Sequence, residues 1–169
     1  MRNKWYDATN NTSDSTCFHS VAEPLNEEEI KHKTIFYTEN TDKIEDYAIG
    51  DRVIFEDKEG VVFWVDDEVH CITDIVSEDE VTFNEALDFA KEKNLELPAQ
   101  KELIALFINK GKVNKELKNK IKENWLWSST EHYYNTAWIL RLSDGYIGNS
   151  FKGNTYTARC SFSFNPSSL

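Results

Sequence analysis

Hydrophobic and polar positions follow two different periods along this chain. Between residues 52 and 75 the pattern is that of strands. Arg52-Val53-Ile54-Phe55-Glu56 and Val61-Val62-Phe63-Trp64-Val65 are β-branched and aromatic, and Asp57-Lys58-Glu59-Gly60 separates them. This predicts a hairpin with Gly60 at the end of a short loop. Asp66-Asp67-Glu68 predicts the next turn, and His70-Cys71-Ile72-Thr73-Asp74-Ile75 continues the meander. The period then lengthens to that of a helix. Thr82 and Glu85 have the spacing of a capping box, and Phe83, Ala86, Leu87, Phe89 and Ala90 give one apolar face, so a helix is predicted over 82–94. Pro98 starts a second helix with Leu103, Leu106 and Phe107 facing inward, and Gly111 is expected to end it. Asn114 is expected to cap a third, short helix that buries Leu117 and Ile121. After Trp125 the strand pattern returns over 125–129, 136–142, 146–151 and 156–162, with Ser143-Asp144-Gly145 as a tight turn.

Strands, then two or three helices, then more strands predict an α+β fold with mixed antiparallel sheets and flanking helices. Residues 1–45 differ from the domain expected over 46–165. Asn10-Asn11-Thr12-Ser13-Asp14-Ser15-Thr16 favours neither helix nor strand. Asn26 is placed to cap a short helix running through Ile30, and Thr34-Ile35-Phe36-Tyr37 suits a short strand. The region reads as a polar arm that orders against a partner or against the body. Its Trp5, Tyr6, Phe18, Phe36 and Tyr37 are more aromatic residues than a disordered tail usually carries.

Several local motifs fall in a fixed order. Leu97-Pro98-Ala99-Gln100-Lys101-Glu102-Leu103 comes first, then Leu126-Trp127-Ser128-Ser129-Thr130-Glu131, Ala137-Trp138, Asp144-Gly145 and Ala158-Arg159-Cys160. The order resembles the Lcl C-terminal domain family, named for a collagen-like adhesin and built on the C-type-lectin-like fold. The likeness spans about residues 47–163. It implies that the two ends of the domain meet in one sheet, the Trp127 segment closing back on the early hairpin, with helices alongside. It also implies a surface that binds a ligand without performing chemistry. The chain departs from the family at Leu95-Glu96, where Trp-Arg is usual, at Leu126, where Tyr is usual, and at Ala99, where a capping Thr is usual. The last change removes a hydroxyl worth roughly 1 kcal/mol.

Charge narrows the choice of partner. Up to Glu96 there are 25 acidic against 9 basic residues, a net of −16, and from Leu97 onward 5 against 10, a net of +5. An acidic front half repels nucleic acid and anionic membranes. The lysines at 110, 112, 115, 118, 120 and 122 read as a solvated helix face. No stretch approaches the roughly 20 apolar residues that span a bilayer, so no membrane insertion is expected. Met1-Arg2-Asn3-Lys4-Trp5-Tyr6-Asp7 runs into polar residues and not into a signal-peptide core. The expectation is synthesis in a bacterial cytoplasm without export, and release within a phage virion.

Candidate chemistry is sparse. Ser128 and Ser129 lack a nucleophile elbow, and the nearest histidine, His132, follows a strand and turn. Cys17, Cys71 and Cys160 are far apart, and His19 beside Cys17 completes no zinc spacing, so buried thiols are expected. The sulfatase-modifying enzymes that share the lectin-like fold use a late cysteine pair that this chain lacks. Calcium-dependent lectin loops are missing, and Asp66-Asp67-Glu68 lacks the ligand spacing of a calcium loop. No cofactor, metal or catalytic residue is therefore expected.

What remains is a recognition surface. His132, Tyr133, Tyr134, Asn135, Arg141, Asp144, Tyr146, Asn149, Ser150, Lys152, Asn154 and Tyr156 cluster late in the chain. Such residues combine rigid contact area with adaptable hydrogen bonding. The same part of the lectin-like fold is diversified in the variable proteins of diversity-generating retroelements, some of which are phage receptor binders. The expected function is a non-enzymatic binding or decoration module of a virion, oligomeric or part of an assembly. Its partners would be other virion proteins or a host surface glycan or protein. The alternative is an intracellular bacterial scaffold of the same fold.

Overall fold

The structure is a computed structural model, and it describes residues 34–35 and 44–166. The helix expected near Asn26, most of the polar arm, and Cys17 and His19 lie outside the described residues. The described part is α+β, with two sheets and two helices. The first sheet has the order β1-β2-β3-β4-β8, built from Thr34–Ile35, Arg52–Phe55, Lys58–Val65, Val69–Val76 and Arg159–Phe164. All its pairings are antiparallel except β1 with β2. The second sheet, β5-β6-β7, comprises Trp125–Tyr133, Thr136–Arg141 and Ile147–Phe151. Helices α1 (Phe83–Glu92) and α2 (Gln100–Glu116) lie between the two groups of strands in sequence.

The first hairpin turns earlier than its sequence suggests. Glu56 and Asp57 form a two-residue turn with φ of 45° and 68°, so β3 begins at Lys58. Gly60 is therefore inside the strand, opposite Val53. A Cβ there would stand 2.9 Å from both Cys71 Cβ and Phe162 Cε1. The glycine is needed for close packing and not for a loop.

Both faces of this sheet are covered. Val61 and Phe63 join Ile72, Leu103 and Leu106 in one core, while Val62 joins Val53, Cys71, Phe83 and Phe162 in the other. That two-sided burial explains the unbroken apolar run Val61-Val62-Phe63, where a one-sided strand would alternate.

The first helix starts as its capping box predicts. Thr82 N–H and hydroxyl both donate to Glu85 Oε2, at 2.8 and 2.7 Å. Phe83, Ala86 and Ala90 are buried, but Leu87 lies on the exposed side. The chain leaves α1 two residues earlier than expected and turns at Asn94, whose φ is 54°.

The second helix begins at Gln100, two residues beyond Pro98, and runs through Gly111 to Glu116. No helix follows α2 among the described residues. Gly111 is exposed and does not end α2, and Asn114 does not cap a helix. Instead Asn114 sits in the last turn and pairs with Ile121: its Nδ2 donates to Ile121 O at 3.2 Å and its Oδ1 accepts from Ile121 N at 2.7 Å. Leu117 and Ile121 are buried as expected, but on a loop. Ala99 offers no capping hydroxyl, and Thr130 of β5 accepts from Gln100 N–H at 3.0 Å. A neighbouring strand thus stands in for the missing side chain.

The tail divides. Its last strand returns to the first sheet, with Cys71 opposite Phe162 and Val69 opposite Phe164. The Trp127 strand does not join it, contrary to the single sheet expected. β5, β6 and β7 pair among themselves, and an isolated parallel bridge from Leu126 to Thr157 ties β5 to the segment before β8. Trp127 is fully buried between them, donating its indole N–H to Val81 O at 2.8 Å. No described helix is long and apolar enough to cross a membrane.

Candidate functional site

Strand register decides which late residues share a surface. Tyr133 of β5 is opposite Thr136 of β6, and Thr136 is opposite Phe151 of β7. Directly paired residues project from the same face, so Tyr133, Thr136 and Phe151 form a row across the end of the second sheet. Trp138 and Asn149, the next pair on that face, form a second row. His132 folds onto the same face. Its ring meets Trp138 edge-on at 5.0 Å, and its Nδ1 lies 3.2 Å from the Thr136 hydroxyl. Tyr134, at the turn, contacts Tyr133 edge-on at 5.2 Å.

These rings face solvent to an unusual degree. Tyr133 is 65% exposed, Tyr134 78% and Phe151 61%. Single exposed apolar side chains are ordinary, but neighbouring ones on a rigid hairpin mark interaction sites. Lys152 supplies the rigidity. Its Nζ donates to Tyr134 O at 3.1 Å and pairs with Glu131 at 2.9 Å, and its N–H donates to Asn135 O at 2.9 Å. The hairpin tip is thus tied to the chain beyond β7, and its aromatic side chains have little backbone freedom to lose on binding.

The remaining candidates lie elsewhere. Arg141, Asp144 and Tyr146 stand at the opposite end of β6. Arg141 forks onto Asp144 at 2.9 and 2.6 Å, and its guanidinium lies 5.1 Å from the Trp125 ring and 5.5 Å from that of Tyr146. Hydrogen bonding between the two side chains holds Asp144 below and Arg141 above their usual pKa values. Their hydrogen-bonding capacity is therefore turned inward. Tyr156 is half-buried between Trp125 and Trp127, with its hydroxyl 3.0 Å from Ser150 Oγ, which also accepts from Asn154 Nδ2 at 2.9 Å. These residues build the sheet's other end and its closing loop.

Of the expected surface residues, the structure brings together His132, Tyr133, Tyr134, Asn135, Asn149 and Lys152. Thr136, Trp138 and Phe151 were not among the surface residues expected from the sequence, although they complete the two rows. Strict alternation in Thr136-Ala137-Trp138-Ile139, with Ala137 and Ile139 buried, was the available signal.

The hydroxyls and thiols are committed to structure. Ser128 is buried and accepts from Thr130 N–H at 3.0 Å. Burial pushes the Cys71 thiol up, and that of Cys160 up to about 11. Neither thiol is a ready nucleophile. Among the described residues no three His, Cys, Asp or Glu side chains gather as a metal site requires. No protein-family model and no curated protein matches this chain.

Proposed function

We propose that the protein is a non-enzymatic binding module of the C-type-lectin-like type, a virion component that grips a host surface glycan through the His132–Tyr133–Trp138–Phe151 face. The observation that carries this reading is the double row of aromatic and neutral polar side chains across the end of the second sheet, with Tyr133, Phe151 and Asn149 exposed and Thr136 and Trp138 half-buried. Sugar rings offer apolar C–H faces edged by hydroxyls. Aromatic rings fit the former, and Asn149, Thr136 and His132 supply partners for the latter. The face carries no carboxylate or lysine that is not already paired, which suits a neutral glycan better than a charged one. The return of β8 to β4 and the helices following the first meander support the lectin-like assignment.

The test is retention of the whole chain on host cells and on their extracted polysaccharide. Replacing Tyr133 and Phe151 together by Ser is expected to lower affinity at least about tenfold while leaving the melting temperature unchanged. Binding that survives removal of the polysaccharide would point to a protein receptor. Binding to neither cells nor glycan, with capture of a cytoplasmic partner, would favour the scaffold reading.

A further inference from the structure

A cleft of about 440 Å³ opens where the two sheets meet, away from the aromatic face. Its apolar lining comes from Val76, Ile121, Leu126 and Leu142. The volume lies in the range of small-molecule sites, and such sites pair an apolar lining with a few convergent polar groups.

The first polar group is Arg159. Only 3% of it is exposed, yet it lines the cleft. Its Nη1 donates to Thr73 O at 3.0 Å, and its Nη2 donates to Asn119 O at 2.7 Å and to Lys120 O at 3.4 Å. All three acceptors are neutral carbonyls. The carboxylate of Asp74 acts on Arg159 only through space, because it is engaged by Arg52 at 3.4 Å and by Asn119 N–H at 2.7 Å. Among the described residues no carboxylate pairs with Arg159. A buried cation left in this state is stabilised by an incoming anion.

The second group is the rim. Lys118 leans toward Glu59 at 3.8 Å, and Lys120 caps the carbonyls of Asn114 and Lys115 at the end of α2. Lys122 has no such partner among the described residues. Glu78, Asp79 and Glu80 enter the lining from the segment after β4, also unpaired among the described residues. The cleft thus presents uncommitted charge of both signs around an apolar lining.

We propose that this cleft binds a small zwitterion of the amino-acid or short-peptide class. Its carboxylate meets Arg159 and Lys122, its ammonium meets the Glu78-Asp79-Glu80 segment, and an apolar side chain covers Leu126 and Leu142. The site is separate from the aromatic face and does not depend on the glycan reading.

The test titrates the whole chain with leucyl-leucine while recording backbone amide shifts. Two capped controls accompany it: N-acetyl-leucyl-leucine, which lacks the ammonium, and leucyl-leucinamide, which lacks the carboxylate. Saturable shifts are expected at residues 119–122 and 157–159, with each control binding at least about tenfold more weakly. Removing Arg159 would strand the Thr73 and Asn119 carbonyls and endanger folding, so the exposed variants Lys122→Glu and Glu80→Lys are used instead. Each is expected to weaken binding about tenfold with an unchanged melting temperature. The proposal is overturned if no saturable shift occurs up to about 10 mM peptide. It is equally overturned if the shifts fall outside the cleft, or if controls or rim variants bind as tightly as the parent pair.

Discussion

His70 Nδ1 lies 2.6 Å from Glu102 Oε1, joining the start of β4 to the first turn of α2. The other ring nitrogen, Nε2, lies 2.9 Å from Asp66 Oδ1. The imidazole stacks on Trp64 at 4.5 Å, and Lys101 sits 4.7 Å from the same indole. Glu102 also accepts from Ala99 N–H, so one carboxylate both starts the helix and holds the histidine. Two carboxylates on one ring are satisfied together only when both nitrogens carry protons. Burial works against the charged ring, but the hydrogen bonds to Glu102 and Asp66 outweigh it and raise the His70 pKa. Burial likewise opposes charge on Glu102 and Asp66, and the bonds to His70 outweigh it and lower both.

This network predicts a stability optimum in mildly acidic solution. A raised histidine contributes fully below its ordinary value of 6.5, and that contribution is lost as pH climbs through the folded-state value. The lowered carboxylates contribute above their ordinary values of 3.8 and 4.5, and lose that contribution as pH falls through the folded-state values. Urea unfolding should therefore show stability falling as the pH rises above the ordinary histidine value of 6.5. His70→Gln should flatten that slope and lower stability at pH 6 by about 2 kcal/mol. Parallel pH profiles for the parent and the variant would refute the charged-ring account.

Gly60→Ala is expected to destabilise by about 1–3 kcal/mol. The new methyl would meet Cys71 Cβ and Phe162 Cε1 at 2.9 Å and Ile72 O at 3.0 Å. Two of these atoms belong to strand β4 and one to β8, so relief requires shifting paired strands. Chemical denaturation measures the effect, and a neutral outcome would mean that the sheet relaxes more readily than close packing allows.

That glycine also shows where local pattern stops being informative. The Thr82–Glu85 capping box and the apolar positions of α1 act over one helical turn, so residues 82–90 could be read directly. Gly60 invited a loop because its actual reason lies with Cys71 and Phe162, remote in sequence. Gly111 and Asn114 looked like stop and start signals, yet Asn114 is held by Ile121 across a loop. The end of α2 is thus set by hydrogen bonds made across the loop that follows it. The late surface was legible in composition but not in arrangement. Register shifts between Trp127 and Glu131 and again before Tyr133 bring His132 to the Trp138 side, and alternation alone does not reveal such bulges.

The turn Glu56-Asp57 carries avoidable strain. Both residues have positive φ, which a two-residue hairpin of this kind requires and which Asn-Gly adopts at far lower cost. The double change Glu56→Asn and Asp57→Gly should stabilise the protein by about 1–2 kcal/mol. Both side chains are exposed, so little packing is lost. A loss of stability would show that one of these acids makes a compensating interaction.

Trp127 is the position where core and surface roles can be separated most cleanly. Its ring is fully buried, meets Phe83 edge-on at 5.5 Å and Tyr156 at 5.0 Å, and donates to Val81 O. Trp127→Phe keeps an aromatic ring but deletes the donor and leaves space, so a loss of about 2 kcal/mol is expected. Trp127→Ala should cost about 3–5 kcal/mol. Tyr133→Ser and Phe151→Ser, on the exposed face of the same sheet, should each change stability by less than about 0.5 kcal/mol. Urea unfolding of the four variants orders them directly. If Tyr133 or Phe151 proves as costly as Trp127, those rings are holding the fold together, and the exposed face is not free to bind.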